Sequence, residues 1–390
     1  MTLLSPALTS SPTVTDRITA ASRRPAGLGA VPAGAISLAM GEPDADTSPA
    51  ITAAAVTALR AGRTRYEALT GAPALRSALA EHITAGTGRP TSAAEVVTTH
   101  GGSAGLAATM LALLSPGDRV IVPEPTYSLY TDHLAMIGAE QVWLAPTPTG
   151  RIDLVGLRAL AADARMLVLC NPANPTGAVH TAAELAEIAE IVAAHPSLIL
   201  VSDEAYCDIV FDGADFLSAA ALPGIREQVV LVGTFSKSYA MTGWRLGYVV
   251  ANEEHAARIN LVHRTLNGAL STFVQDAGLV ALRTPPGELA RMRDTYQRRR
   301  DLVVRHLDGI PGIDLARPAG AFYAFPRVHT DVDSQTLVQR LAEGGVLLRA
   351  GSEYGPSGEG HVRLSFASDE AHLEEGLRRF VDVARRLIRE

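Results

Sequence analysis

The sequence predicts an α/β protein in which a largely parallel sheet is covered by helices on both faces. From Glu95 onward, short apolar runs alternate with amphipathic stretches, which is typical of parallel strands joined by packed helices. The apolar runs are nearly continuous, as expected of strands that are buried on both faces. Functional side chains are then expected at the carboxyl edge of the sheet, where the strands end.

The predicted elements follow in a regular order from Glu95 to Lys237. They are a strand with a glycine turn (EVVTTHGG), a helix (SAGLAATMLALL), a turn and strand (PGDRVIVPEP), a helix (YSLYTDHLAMIG), a strand (ARMLVLC), a helix (TAAELAEIAEIVAAH) and two further strands (LILVSDEAY and QVVLVGTFSK). Ahead of them, about the first 35 residues are predicted to form a mobile arm, because they are rich in Ser, Thr and Pro. One short helix is predicted in this arm, at residues 15–24.

The pattern changes after Pro285 and Pro286, where long charged helices and short strands (GAFYAFP, HVRLSFA) replace the earlier alternation. A chain of 390 residues is also too long for one simple core. We therefore predict an arm with part of a small domain at 1–45, a large domain at 46–285 and a small C-terminal domain at 286–390. The arm is expected to return to the small domain.

Composition and charge argue against several classes of protein. The formal net charge is −7, and the one basic run, Arg298–Arg300, lies in a helical pattern and is interpreted as a solvated face. Nucleic acid is therefore not an expected partner. Cys170 and Cys207 are too few and too far apart for a disulfide framework or a metal site, and both are predicted to be buried thiols of a cytoplasmic protein. No segment has the features of a secretory signal or reaches membrane-spanning length.

Lys237 is the only lysine in the chain, although 34 residues are Lys or Arg. Arginine can replace lysine in most surface roles, but its guanidinium stays protonated and cannot form an imine with a carbonyl group. Lys237 is therefore a candidate for imine chemistry. The alternative, an ordinary solvated charge, remains open on the count alone.

Polar motifs follow consecutive predicted strands. NPANPTG (171–177) follows LVLC, SDEAY (202–206) follows LILV, and GTFSK (233–237) follows VVLV, with Arg245 eight residues after Lys237. An earlier strand ends at the glycine turn GGSAG. The strand ends thus bring a glycine loop, an amide, a carboxylate with a phenol, and a lysine with an arginine to one edge of the sheet.

This combination of motifs resembles the aspartate aminotransferase superfamily of pyridoxal 5′-phosphate enzymes, class I/II and fold type I. The resemblance runs from about Ala39 to the C-terminus, and SKSYAMTGWRLGY together with NPANPTG and SDEAY carries it. It implies a large domain with a mostly parallel seven-stranded sheet and a smaller α+β domain. It also implies a cytoplasmic homodimer with shared active sites that moves an α-amino group from an L-amino acid to a 2-oxo acid by a ping-pong cycle.

The resemblance implies a catalytic role for Lys237, Asp203 and Tyr206, with Asn174 as a binding residue beside them. Lys237 would bind the cofactor as an imine and then move a proton at the substrate α-carbon. Asp203 would keep the pyridine nitrogen protonated, and Asn174 and Tyr206 would donate hydrogen bonds to the phenolate oxygen of the cofactor. Taken singly, Asp203 could be a helix cap, Asn174 a plain Asn-Pro turn and Tyr206 a core aromatic residue.

The resemblance also implies a binding site for the cofactor phosphate and ring. The phosphate would be held by hydroxyl, guanidinium and helix N-terminal N–H groups, and the residues are Gly102, Ser103, Ala104, Thr234, Ser236 and Arg245. Tyr127 would stack on the cofactor ring, or else be an ordinary core aromatic residue. Tyr66 would reach the phosphate in the partner subunit.

For the substrate, the resemblance implies that Arg363 binds the α-carboxylate, with Asn174 and Gly41 nearby. Some relatives carry a cationic group at the position of Ser103, where it binds a distal carboxylate, and no lysine is available here. A simple preference for aspartate is therefore doubtful. Neutral, aromatic and basic donors all remain open.

Two other functions remain possible on the same residues. One is a lyase or cyclising synthase, which would use the same cofactor without an oxo acid acceptor. The other is a regulatory module that binds the cofactor as a sensor, although the short N-terminal arm leaves no room for the DNA-binding domain that such relatives carry. A dinucleotide-dependent dehydrogenase is disfavoured because no G-x-G-x-x-G follows a predicted strand.

Overall fold

The computed structural model describes residues 12–24 and 32–389. Its helices are α1 (Val14–Ala21), α2 (Pro49–Arg60), α3 (Pro73–Thr87), α4 (Gly101–Leu113), α5 (Leu129–Ile137), α6 (Leu154–Leu160), α7 (Ala182–Ala193), α8 (Glu253–Asn267), α9 (Thr272–Ala281), α10 (Pro286–Leu307), α11 (Ser334–Glu343) and α12 (Glu370–Leu387). Within these ranges, no helix is both long enough and apolar enough to cross a membrane.

The strands are short, and half of them form one central sheet. They are β1 (Ile36–Ser37), β2 (Val96–Thr99), β3 (Arg119–Pro123), β4 (Glu140–Leu144), β5 (Met166–Cys170), β6 (Ile199–Asp203), β7 (Val229–Thr234), β8 (Gly247–Val250), β9 (Ile313–Asp314), β10 (Tyr323–Ala324), β11 (Arg327–Val328), β12 (Val346–Leu347), β13 (Arg349–Ala350) and β14 (Val362–Ser365). The central sheet has seven strands in the order β2-β8-β7-β6-β5-β3-β4.

The central sheet is parallel except at β8, which runs antiparallel to both β2 and β7. The predicted α/β fold with a mostly parallel seven-stranded sheet is therefore confirmed. Sequence analysis did not assign β4 and β8, because β4 is half exposed and β8 is a four-residue strand that lies directly after the long polar loop around Lys237.

Helices cover both faces of the sheet, which explains the continuous apolar runs. Along β5, Val168 packs into the core beneath α4 and α5, whereas Leu167 and Leu169 pack into the core beneath α6 and α7. Because successive side chains of a strand point to opposite faces, every position of β5 must be apolar. All five of its residues are buried.

The predicted helix of the arm is present as α1, and it is not free of the rest of the protein. Thr13 and Asp16 form a capping box at its start. The Arg17 guanidinium donates hydrogen bonds to the carbonyl oxygens of Ala135 and Met136, which are left without helical partners near the end of α5. The prediction of a mobile arm is therefore wrong for α1, and the rest of the arm up to residue 31 is mostly outside the described residues.

The segment after the arm joins the C-terminal part of the chain. Strand β1 pairs in parallel with β12, and Leu38 lies in the core that α10, α11 and α12 share. Small sheets built from β9 to β11, β13 and β14 lie in the same part of the chain. The division of the chain at residues 45 and 285 stays a prediction.

Two expectations about single residues are wrong. Arg299 and Arg300 in α10 are not solvated, since Arg300 is fully buried and pairs with Asp212 and Asp301, while Arg299 pairs with Asp44. Asp44 and Asp212 are far from α10 in the sequence, and Asp301 is adjacent to Arg300. The helical periodicity of the sequence could therefore not reveal these ion pairs. Of the two cysteines, Cys170 is buried and Cys207 is only half-buried.

Candidate active site

A cavity of about 500 Å³ lies at the carboxyl edge of the central sheet. It is bounded by the ends of β5, β6 and β7, by the start of α4, by the segment after β1 and by strands of the C-terminal part. Twelve of the fourteen predicted site residues line it: Gly41, Gly102, Ser103, Tyr127, Asn174, Asp203, Tyr206, Thr234, Ser236, Lys237, Arg245 and Arg363.

The other two predicted site residues lie outside the cavity. Ala104 is the fourth residue of α4, where the backbone N–H is expected to make the first hydrogen bond within the helix. The cavity lining does not include Ala104, and its contact with the cofactor stays a prediction. Tyr66 is 97% exposed in the loop between α2 and α3, so it cannot reach the cavity of its own chain, and a role in a partner subunit is not tested by this arrangement.

Lys237 follows β7 and extends into the cavity. Its Nζ atom donates a hydrogen bond to the carbonyl oxygen of Gly41 at 2.7 Å. Burial, together with the positive charge of Arg363, lowers the pKa of the ammonium to about 8. Because of this lowered pKa, the neutral amine of Lys237, which is the nucleophilic form, is accessible near neutral pH. The neighbouring residue 41 must be glycine, because a Cβ atom there would lie 2.2 Å from the Tyr323 hydroxyl.

Asp203 is the last residue of β6 and is 6% exposed. Its carboxylate accepts hydrogen bonds from the Tyr130 hydroxyl at 2.7 Å and from the Ala205 N–H at 3.2 Å. Burial raises the pKa of this carboxyl group, and the two donors oppose the rise. No described cation forms a salt bridge with it, so a cationic group in the cavity would stabilise the charged form.

Arg363 in β14 is held by neutral groups. Its Nη1 donates to Asn174 Oδ1 at 3.2 Å and its Nη2 donates to the Ala39 carbonyl oxygen at 2.6 Å. Its Nε is buried and has no hydrogen-bond partner among the described residues. The guanidinium lies 4.5 Å from the centre of the Tyr323 ring. Arg363 therefore keeps its full charge and a free donor for an anionic ligand.

Tyr206 contributes its hydroxyl group at the floor of the cavity. This hydroxyl lies 2.9 Å from the hydroxyl of Tyr323, and the Tyr206 ring also packs against Phe322. The residue thus belongs to the aromatic core and to the cavity wall at once, and its hydrogen bond to the cofactor stays a prediction.

The start of α4 and the loop around Arg245 form a cradle with room for an anion. Gly101 has a φ of +80°, and a Cβ atom there would lie 2.6 Å from Arg245 Nη2, so only glycine allows this approach. Arg245 itself is exposed and has a φ of +55°. Thr234 Oγ1 accepts the Ser236 N–H and lies 2.9 Å from Ser236 Oγ. Free N–H groups at the helix start, two hydroxyls and one guanidinium are the donors that phosphate groups require.

Sequence reasoning missed several residues of the site. Tyr130 is fully buried and donates to Asp203, and its ring packs edge-on against Tyr127 at 5.7 Å. Its spacing of three residues from Tyr127 within the predicted helix YSLYTDHLAMIG was an available signal. Other cavity residues are Arg24, Glu42, Tyr323, Arg349 and Tyr354. Glu42 adjoins Gly41 in the sequence, whereas the other four come from distant segments that no local motif identifies.

Known proteins share this fold and these motifs. A family model described as aminotransferase class I and II matches residues 33–380. Arginine–pyruvate transaminase AruH of Pseudomonas aeruginosa is 37% identical over 360 residues, which cover 90% of each chain. An aspartate aminotransferase of Rhizobium meliloti is 34% identical over 90% of this chain and 89% of its own.

Solved structures agree with these similarities. The crystal structure of an aromatic aminotransferase from Pyrococcus horikoshii has a TM-score of 0.88 and 33% identity, and it covers 96% of this chain and 99% of its own. The names of these relatives all describe amino-group transfer, and no similarity favours the lyase or synthase alternative. The chain is therefore a transaminase that belongs to the class I and II aminotransferase family.

Proposed function

We propose that the protein is a pyridoxal 5′-phosphate-dependent transaminase in which Lys237 binds the cofactor covalently. It transfers the α-amino group of an L-amino acid to a 2-oxo acid by a ping-pong cycle. The observation that carries this proposal is the position of the only lysine of the chain, half-buried in the cavity with a pKa of about 8. Imine formation needs such an amine.

The residues present fit that cofactor on three points. The buried Asp203 carboxylate accepts hydrogen bonds only from neutral donors among the described residues and forms no salt bridge there, and a protonated pyridine ring would supply one. The glycine cradle at the start of α4 offers free N–H groups beside Arg245, which suits a phosphate group. The buried Arg363 Nε lacks a partner within the described ranges, which suits the carboxylate of a bound amino acid.

When bound, the cofactor would act as an electron sink for the pair of electrons left at the substrate α-carbon. Asp203 would hold the pyridine nitrogen protonated, with Tyr130 fixing its carboxylate. Tyr127 would lie against the ring. Asn174 would donate through Nδ2, since its Oδ1 accepts from Arg363.

Lys237 and Arg363 would act on the substrate. Once the substrate amine has displaced it from the cofactor, the neutral Lys237 amine would take the proton from the substrate α-carbon and return it at the acceptor carbon, a step that needs a base with a pKa close to the working pH. Arg363 would bind the α-carboxylate through parallel N–H groups and so orient the α-carbon. Gly41 would leave room for the Tyr323 hydroxyl at the cavity wall.

We further propose that the protein is a cytoplasmic homodimer of the predicted domains. Tyr66 is 97% exposed. An aromatic residue that contacts a neighbouring subunit is expected to be exposed in this way when one chain is considered alone. The two cysteines are free thiols, as expected in a reducing compartment. Size-exclusion chromatography with light scattering tests the dimer, and Tyr66→Phe should weaken cofactor retention if its hydroxyl reaches the partner's phosphate.

The decisive experiment is a visible absorption spectrum of the cofactor-loaded protein while single L-amino acids are added without an oxo acid. We expect one class of amino acid to convert the lysine-bound cofactor to its aminated form and to release the matching oxo acid in equal amount. Catalytic release of product without amination of the cofactor would instead assign the chain to the lyases and would contradict the proposal. The variant Lys237→Ala provides the matched control, because it should show no lysine-bound band.

A further inference from the structure

Two arginine residues of the cavity have no role in the proposed function. Arg245 faces the phosphate cradle and Arg363 has a free donor for the α-carboxylate, but Arg24 and Arg349 also line the cavity. Either of them could in principle bind a second, distal carboxylate of a substrate. Their partners decide whether they do.

Arg349 lies directly beside Arg363. Strands β13 and β14 are antiparallel, and the two arginines are opposite each other in the register, so their side chains share one face of the sheet about 5 Å apart at Cβ. Two neighbouring guanidinium groups repel each other unless an anion lies between or beside them.

Glu353 supplies that anion from within the protein. Its side chain is 1% exposed, and its Oε2 lies 2.5 Å from Arg349 Nη2. Its Oε1 accepts the Ala350 N–H at 3.2 Å, which fixes the carboxylate behind Arg349. Arg363, in contrast, is bound within residues 12–24 and 32–389 only by the neutral oxygens of Asn174 and Ala39.

The charges of this group balance with one substrate carboxylate. Arg349, Arg363 and Glu353 carry a net charge of one positive unit, which the α-carboxylate of a substrate cancels. A second carboxylate would leave an uncompensated negative charge in a largely buried site, which is unfavourable. Arg24 adds no net charge, because Asp132 lies 2.7 Å from its Nη2, although its buried Nε has no hydrogen-bond partner among the described residues.

We propose that Glu353 determines the substrate class by neutralising Arg349, so that the enzyme accepts amino and oxo acids with an uncharged side chain in preference to dicarboxylic ones. The inference rests on the proposed amino transfer at this site. Glu353 acts through Arg349 and does not touch the reacting atoms. It is therefore a specificity residue, and its effect should appear in KM more than in kcat.

The test compares two acceptors of equal length, 2-oxopentanoate and 2-oxoglutarate, which differ in a methyl group against a carboxylate. For the wild-type enzyme we expect kcat/KM to be at least about tenfold higher with 2-oxopentanoate. In Glu353→Gln the Arg349 charge is released while the acceptor for the Ala350 N–H is kept. The relative kcat/KM for 2-oxoglutarate should then rise about tenfold or more, mainly through a lower KM, as expected for a new charged hydrogen bond.

The double variant Arg349→Gln with Glu353→Gln is the matched control, because it removes both charges and should restore the wild-type preference. An equal gain in the double variant would assign the effect to altered packing and overturn the inference. A wild-type preference for 2-oxoglutarate would overturn it as well, even if Glu353→Gln failed to fold. If no amino acid converts the cofactor of the wild-type protein, the proposed function itself fails, which the spectral titration detects separately.

Discussion

Glu204, the residue after Asp203, is expected to make stability depend on pH. Its carboxylate is 5% exposed, and its Oε1 accepts hydrogen bonds from the Ser202 and Ser218 hydroxyls and from the Ala219 N–H. Burial raises the pKa of this carboxyl group from 4.5 to about 7, because three neutral donors only partly replace its hydration. The variant Glu204→Gln keeps the acceptor oxygen and removes the ionisation.

The direction of the effect follows from proton binding. Between pH 4.5 and about 7 the folded state holds the Glu204 proton more tightly than the unfolded chain. The stabilisation is therefore complete below pH 4.5 and is lost as the pH rises through about 7. The rise in pKa corresponds to about 3 kcal/mol in total, of which about 2.5 kcal/mol falls between pH 5 and pH 8.

Equilibrium urea unfolding at pH 5 and pH 8, at constant cofactor occupancy, measures this difference. The wild-type free energy of unfolding should fall by about 2.5 kcal/mol more than that of Glu204→Gln over this interval, since the other titrating groups are common to both proteins. Ser218→Ala deletes one of the three donors and should make the dependence steeper. Equal pH dependence in the wild type and Glu204→Gln would refute the reasoning.

Three further variants test the site. Lys237→Arg should abolish covalent cofactor attachment and turnover while the fold remains, because a guanidinium cannot form an imine; mass spectrometry after borohydride reduction checks this, and a retained adduct would contradict it. Tyr130→Phe should lower kcat about tenfold, because the buried Asp203 loses one charged hydrogen bond worth about 1.5–3 kcal/mol; an unchanged kcat would show that Tyr130 is only a packing residue. Arg363→Lys should raise the KM of donor and acceptor alike by about tenfold or more through loss of the paired hydrogen bonds, and a change confined to one substrate would argue against binding of the common α-carboxylate.

The central sheet and most of the cavity could be predicted because both depend on local patterns. Lys237, Asp203 and Asn174 each follow an apolar strand, and parallel strands bring their carboxyl ends to one edge. A motif at a strand end is thus sufficient to place its side chain near the others.

The remaining parts of the site depend on contacts that no local pattern encodes. The pairing of Arg349 with Arg363 depends on the register of two short strands, and the hydrogen bond from Tyr130 to Asp203 joins residues 73 positions apart. The burial of Arg300 depends on Asp212, which lies 88 positions earlier in the chain.

The position of Lys237 also determines how the protein reacts with reagents for primary amines. All other basic side chains are arginine or histidine, so cross-linkers and dye esters find no lysine on the outer surface. Apart from the chain terminus, the one primary amine lies within the cavity. In the cofactor-free protein, modification by a small amine-directed reagent therefore reports whether the cavity is open, and trypsin digestion of the modified protein would still cut at every accessible arginine.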